Sequence, residues 1–323
     1  MARFNLKWLA AACVTLSAFG AAQAQDFPSR PVTVVSPFPA GGATDTLTRI
    51  LAEHMSKTLK QPMIVENRPG AGTLIGASYV AKQPADGYTM LMATNSTLVT
   101  NRYLYKSLPY DPDGFDPIGM VAIGPLVLLA SPNHKFTSTK DVVDYAKANP
   151  GKLSFATFGP GTSSHLAAEL FKTQAGIDML HIPYKGATQA LPDLISGNVD
   201  VFFDMVATGM PQVKAGKITA LGMTSKDRLE SEATVPTIAE QGYPKYDMAA
   251  WFSFVAPKGT PQAELDTLSN ALQAALKDEA LRTRLLGMGI ETRSGTAQEL
   301  TDQIKNEQPL VKSLVENANI VLQ

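Results

Sequence analysis

The feature that most restricts this chain is an alternation. Apolar runs of strand length are followed by amphipathic helical segments, and the turn between them repeatedly carries glycine. VTVVS (32 to 36) precedes a segment where Leu47, Ile50, Leu51 and Met55 recur at three- and four-residue spacing, which predicts one buried helix face. MIVEN (63 to 67) leads through RPGAG to a second helix near Leu74 to Ala81. TMLMAT (89 to 94) is a third strand, ending in Asn95-Ser96-Thr97. A βαβαβ order with short glycine-bearing loops predicts a parallel sheet with helices on both faces.

The pattern then restarts. GMVAIGPLVLLAS (119 to 131) is long, apolar and interrupted by Gly124-Pro125, which suits a strand passing from one lobe to another. After it come helix 139 to 148, strand 153 to 157, helix 164 to 174, strand 179 to 183, helix 187 to 195, and strands 199 to 203 and 218 to 223. MAAWFSFVAP (248 to 257) reads as a return crossing, and only helices follow: Leu265, Leu268, Leu272 and Leu276 on one face, Leu281, Leu285 and Leu286 on another, then about 297 to 315. Those helices need a sheet to cover, and the first lobe is the nearest. The expected fold class is therefore α/β and two-lobed, each lobe a mainly parallel sheet flanked by helices, joined by two crossing strands. The division is 26 to 124 plus 249 to 323 for lobe 1, and 125 to 248 for lobe 2. In open α/β sheets ligands sit beyond the carboxyl ends of the strands, so the strand-to-helix loops are expected to face one inter-lobe cleft.

The first 24 residues stand apart. MARFNLK carries two positive charges, WLAAACVTLSAFGAA is a short apolar segment, and Ala22-Gln23-Ala24 is a small-x-small cleavage site, so residues 1 to 24 read as a cleaved secretory signal peptide. The single cysteine, Cys13, lies within it; a lipoprotein reading there is weakened by Ala10 in place of a large aliphatic residue. A mature chain without cysteine must be stabilised by its core. Losing Arg3 and Lys7 makes it two charges more negative than the −1 of the full chain, a near-neutral balance that argues against nucleic acid or an anionic membrane as partner. No later window is apolar for long enough to span a bilayer. A periplasmic protein without stable membrane insertion is expected, and a monomer.

Two loops carry the candidate chemistry. In Pro37 to Asp45, Gly41 and Gly42 let a ligand approach the main chain, and Thr44 or Asp45 can cap the next helix, although an ordinary tight turn would use the same residues. TFGPGTSSHL (157 to 166) repeats the logic: Gly159, Pro160 and Gly161, then Thr162, Ser163 and Ser164 at a helix start. Helix N-termini with free N–H groups and hydroxyls bind anions. Neither glycine loop contains Lys or Arg, so carboxylate is preferred over phosphate. Farther on, Tyr184 could pack on a ligand's carbon skeleton and Asp204 could accept a hydrogen bond from a ligand amine or hydroxyl; Lys185 is more often a solvated side chain, and Asp204 could instead cap a turn.

Catalysis has weak support. No GxSxG elbow and no GxxxxGK[ST] occurs, and His54, His134, His165 and His181 lack metal-ligand spacing. No catalytic residue, metal or cofactor is expected. A periplasmic hydrolase using Ser163 would need a base that the sequence does not supply.

These stretches also resemble a family. RPVTVVSPFPAGGATDTLTRILAEHM, IVENRPGAGTLIGASYVAKQPADGYTMLMAT, PGTSSHLAAELFKTQAGIDMLHIPYKGATQALPDLISGNVD, and VPTIAEQGYP followed by WFSFVAPKGTP are similar to the Bug-type periplasmic receptors of tripartite tricarboxylate transporters. The resemblance covers nearly the whole mature chain. It implies a type II periplasmic-binding-protein fold that closes on a small carboxylate and delivers it to inner-membrane transporter subunits. It places one ligand carboxylate, partly through ordered waters, near Phe38, Ala40, Gly41, Gly42, Thr94 and Asn95, and the rest of the ligand near Gly161, Thr162, Ser163, Ser164, Tyr184 and Asp204. A C4 to C6 dicarboxylate or an aromatic acid is favoured, Phe158 tolerating an apolar body. The alternative output is an extracytoplasmic sensor feeding a two-component kinase.

Overall fold

The computed structural model describes residues 27 to 317, so the signal peptide and Cys13 lie outside the described residues. Strand β1 (Val32–Ser36) lies between β2 (Met63–Asn67) and β3 (Thr89–Thr94), parallel to both, with Val34 in register with Val65 and Met90. The sheet then turns antiparallel. β3 pairs with β9 (Ala249–Pro257), and β9 pairs with β4 (Phe115–Ala130) from Phe115↔Pro257 to Pro125↔Ala249. Beyond Pro125, β4 changes partners: Leu126 to Ala130 pair with β7 (Val201–Met205) and β8 (Thr219–Met223). β7 continues in parallel to β5 (Ser154–Thr157), and β5 to β6 (Leu180–Pro183); β10 (Glu291–Thr292) pairs with Ile123 and Ala122. Both sheets are mixed: parallel within the βα units, antiparallel where the long strands join them.

The helices follow the apolar spacing of the sequence. In α1 (Ala43–Leu59) the buried face carries Leu47, Ile50, Leu51 and Met55. α2 (Leu74–Val80) follows a short helical turn, and β3 runs into a buried π-helical turn, Ser96–Thr100, continued by α3 (Asn101–Leu104). Asn95-Ser96-Thr97, expected as the polar end of the third strand, is thus the start of a helix. α4 (Thr139–Ala148), α5 (Ser163–Ala175) and α6 (Ala187–Ser196) occupy the expected stretches. The sequence pattern missed α7 (Val206–Lys214), because Gly209 and Pro211 inside it argue against a helix. Buried Val206 and Met210 hold it in place, and tertiary packing overrides the local preference. α8 (Gln262–Lys277) packs on α1 and β4 through Leu265, Leu268, Leu272 and Leu276. In α9 (Glu279–Leu286) Leu281 and Leu285 are buried but Leu286 is exposed, contrary to the expected face. α10 (Ala297–Asn317) lies on β4 and the π-helical turn. No helix among the described residues is long and apolar enough to cross a membrane.

Where β4 changes sheets, a single buried hydroxyl ties the strands together. Thr224 Oγ1 accepts the Leu126 N–H (2.7 Å) and donates to the Met248 carbonyl (2.7 Å), while Thr224 N–H reaches the Leu126 carbonyl and Met248 N–H the Thr224 carbonyl, each at 2.9 Å. Pro125 has no N–H of its own, so the first donor beyond the switch is Leu126, and Thr224 satisfies it. Thr224→Val keeps the shape but strands that N–H and the Met248 carbonyl. It is expected to cost about 1 to 3 kcal/mol in urea unfolding. A loss below about 0.5 kcal/mol would show that the hydroxyl does not hold this junction.

Candidate functional site

β1 ends at Ser36 and the chain enters the first glycine loop. Gly41 has φ +80, a conformation that side chains resist, and Gly42 is the extended N-cap of α1 with no side-chain cap. Neither Thr44 nor Asp45 plays the capping role the sequence allowed. Asp45 turns its carboxylate back on the loop: it accepts Gly41 N–H (2.9 Å), Arg49 Nε (3.0 Å) and Asn67 Nδ2 (2.8 Å), and the same Asn67 amide reaches the Phe38 carbonyl (3.0 Å). Burial works to raise the pKa of Asp45, but the bonds from Arg49, Gly41 and Asn67 outweigh it and hold the carboxyl below its ordinary range. Consequently the loop is fixed by its own helix. The first N–H groups of α1 stay available beyond it, as at any uncapped helix start. Ala40 and Gly41 are exposed at the rim, and Gly42 is buried.

Beside that loop, Thr94 closes β3 and Asn95 follows it, both buried. Ser36 Oγ, Thr94 Oγ1 and Asn95 Oδ1 have no hydrogen-bond partner among the described residues, and buried polar atoms rarely stay unpaired. Asn95 Nδ2 donates to Glu307 Oε1 (3.4 Å), and Glu307 also accepts Trp251 Nε1 from β9. Burial pushes the Glu307 carboxyl up. Glu307 was not singled out from the sequence, yet a signal was there. It continues the spacing Leu300, Ile304, Val311, Leu314 on α10, a carboxylate in an otherwise apolar stripe.

The second glycine loop uses most of its hydroxyls internally. Thr162 Oγ1 donates to the Gly159 carbonyl (2.7 Å) and Ser164 Oγ to the Phe203 carbonyl (2.5 Å). Of the three hydroxyls expected to donate to a ligand, only Ser163, which is buried, has no partner among the described residues. Gly161 N–H donates to His165 Nδ1 (3.2 Å), and Gly159 N–H to Thr157 Oγ1, which lies 2.6 Å from His181 Nε2. The two imidazoles stack with centroids 4.2 Å apart. Burial, with the mutual field and Lys172, holds His165 down to about 3, and burial with Lys172 holds His181 down to about 4. Glu169 Oε1 stands 3.7 Å from His165 Nε2. His165 is thus a neutral acceptor that shapes the loop and not a base for Ser163.

Across the cleft the lobes touch. Phe38 meets Phe158 edge to face at 6.4 Å, and Phe158 meets Phe202 at 5.4 Å. A Cβ on Gly186 would come within 2.9 Å of Pro39 Cδ, one on Gly72 would collide with the Pro160 carbonyl, and one on Gly161 with Leu104. Gly161 therefore faces α3 as well as its own loop. Between Phe38, Gly42 and Thr44 on one side and Phe158, Thr188 and Thr208 on the other, only about 20 Å³ remains free, room for one or two waters. This is a closed cleft. Tyr184 is half-buried and donates its hydroxyl to Asp193 Oδ2 (2.7 Å), with the phenol pushed up to about 12 by burial and that carboxylate. Lys185 is exposed. Asp204 has no exposed surface; Thr208 Oγ1 lies 2.9 Å from each of its oxygens, and Thr208, which the sequence did not indicate because α7 was missed, lines the cleft cavity. A second cavity of about 600 Å³ lies apart from both glycine loops, between Asp227, Met248, Trp251, Gln303 and Glu307. Its size exceeds that of the cleft, but it lacks the convergence of loops and helix starts that defines a ligand site in this fold. Among the described residues no cluster of His, Asp or Glu could hold a metal ion.

Two α/β lobes closing over a pair of glycine loops define a solute receptor of the periplasmic-binding-protein class. The model of the tripartite tricarboxylate transporter family receptor matches residues 47 to 320, and the chain belongs to that family. It is 40% identical over 316 residues to the UPF0065 protein in the tcbD-tcbE intergenic region of Pseudomonas sp. strain P51, covering 96% of this chain and 94% of the relative. Among solved structures, R. palustris Rpa4515 with adipate superposes with a TM-score of 0.89 at 36% identity, covering 92% of this chain and 99% of that one. MatC (Rpa3494) from Rhodopseudomonas palustris with bound malate gives 0.85 at 31%, covering 90% and 100%. The family is one of transport receptors and not of enzymes.

Two outcomes test this geometry. Asp45→Ala should lower stability by about 1 to 3 kcal/mol, because it strands the Gly41 N–H and the Asn67 amide; a neutral result in urea unfolding would disprove the clamp. For the histidines, unfolded imidazole protonates near its ordinary value of about 6.5 while the folded pair resists, so stability is complete above that value and declines below it. The melting temperature should therefore drop between about pH 7 and about pH 5, and His165→Phe should flatten that drop. An unchanged slope in the variant would contradict the neutral-acceptor role.

Proposed function

We propose that this receptor binds a small dicarboxylate in the inter-lobe cleft, closes on it, and presents it to the inner-membrane subunits of a tripartite tricarboxylate carrier. The observation that carries this reading is the start of α1 behind Gly42, which lines the cleft cavity together with Phe158, Gly186 and Thr188 of the other lobe; α5 starts behind Thr162 in the second glycine loop. Both lack a side-chain cap, and neither loop holds a cation. Aligned N–H donors with a partial positive charge suit a carboxylate. Ligand contacts are assigned to Phe38, Ala40, Gly41, Gly42, Thr94 and Asn95 on the first side, and to Gly161, Thr162, Ser163, Ser164 and Tyr184 on the second. The unpaired Ser36, Thr94 and Asn95 atoms are consistent with a water-bridged anion, since a bridging water serves nearly as well as a direct donor. Adipate and malate in the two solved relatives support the size class.

The lobes are assigned as 26 to 124 plus 249 to 323, and 125 to 248. Support comes from the change of partners in β4 after Pro125 and from α8 packing back on α1. After removal of residues 1 to 24 the protein works in the periplasm as a monomer. The ligand must favour the closed state, or closure transmits nothing.

A thermal-shift screen of refolded, ligand-stripped protein against mono-, di- and tricarboxylates, acidic amino acids and aromatic acids tests the reading. A dicarboxylate should raise the melting temperature by mass action. Ser163→Ala should then weaken the best ligand by about 1 to 3 kcal/mol. A flat screen with correctly refolded protein would overturn the proposal.

A further inference from the structure

The wall of the cleft contains a buried acid that the binding reading does not use directly. Asp204 ends β7 and has no exposed surface. Thr208, one turn into α7, lies between it and the cavity and takes part in lining that cavity. Its Oγ1 is 2.9 Å from both Asp204 oxygens and 3.2 Å from the Met205 carbonyl. A hydroxyl has one proton and two lone pairs, so its partner decides what it can offer elsewhere.

We propose that Thr208 contacts the ligand carboxylate and that Asp204 is the positioning residue that sets the direction of its hydrogen bond. When Asp204 is ionised it only accepts, so Thr208 must donate to it and turns lone pairs toward the cleft, which repel a carboxylate. When Asp204 carries a proton, it donates to Thr208 Oγ1, and the threonine proton is free to meet the ligand. A charge-assisted bond to a carboxylate outcompetes the longer contact to Met205. The acid's surroundings favour the protonated form. β4 places Val127 in register with it, α7 contributes Thr208 and Gly209, and α5 contributes Ser164, whose hydroxyl is engaged by the Phe203 carbonyl. None of the groups acting on its carboxyl is charged. Burial pushes it up to about 8, opposed only by Thr208 and the Met205 N–H. The inference rests on the carboxylate-receptor reading and adds a specificity determinant to it: an anionic ligand end is accepted only while Asp204 is neutral.

The sign follows directly. Both ligand carboxylates stay ionised above neutrality, so loss of the Asp204 proton removes the donor without changing the ligand. The binding-competent fraction falls as pH rises through about 8. Calorimetric titration of the full mature protein with adipate and with malate, from about pH 6.5 to about pH 9.5, reads this out. Wild-type affinity should fall about tenfold or more over that range. Asp204→Asn, whose amide is a permanent donor to Thr208, should lose the pH dependence. Thr208→Val should bind about fivefold or more weakly at the lower pH and also become pH-independent, while Thr208→Ser should keep the wild-type profile. A decline above pH 8 that persists in Asp204→Asn, or wild-type affinity in Thr208→Val, overturns the inference while leaving the receptor reading intact. No binding of either acid by the wild type at the lower pH overturns the inference, and only a flat carboxylate screen overturns the receptor reading as well.

Discussion

The antiparallel pairing of β4 with β9 is the constraint on which the molecule depends. β4 is long enough to serve two sheets, and its change of partners after Pro125 separates the lobes while keeping them on one backbone. The Thr224 hydroxyl satisfies the donors that the switch exposes, so the junction can bend without leaving buried backbone groups unpaired.

Much of the fold was legible because burial imposes periodicity. The stripe from Leu47 to Met55, the heptad-like leucines from Leu265 to Leu276, and the Gly124-Pro125 break each have one physical cause, and each was visible without coordinates. What was hidden depends on tertiary contact. α7 contains Gly209 and Pro211, and only its packing through Val206 and Met210 makes it a helix. The π-helical turn after β3, STLVT, is short and rich in β-branched residues, and the sequence pattern placed only a strand end there.

The glycine loops were legible as loops but not as hydrogen-bond networks. Glycine, proline and hydroxyls announce a helix start, yet the sequence does not say where each hydroxyl points. Thr162 and Ser164 bind carbonyls of their own lobe, Asp45 clamps the loop in place of capping its helix, and His165 accepts a backbone N–H. Glu307, a carboxylate in the apolar stripe of a helix remote in sequence, and Thr208, on the helix that Gly209 and Pro211 disguise, are assigned by what they touch. Neither glycine loop contains a lysine or arginine, and the Arg49 charge beside the first loop is paired with Asp45. Such a design avoids the strong fixed charge that would hold an anion too tightly to release, and it leaves closure itself to supply the affinity.

The coupling of closure to ligand can be measured directly by small-angle X-ray scattering of the ligand-stripped mature protein, with and without saturating adipate or malate. The account predicts that the stripped protein is more extended, and that its radius of gyration contracts on binding to the value calculated for the closed structure described above. Binding without any contraction would contradict the account, because the glycine loops would then form a fixed pocket and the two crossing strands would not act as a hinge.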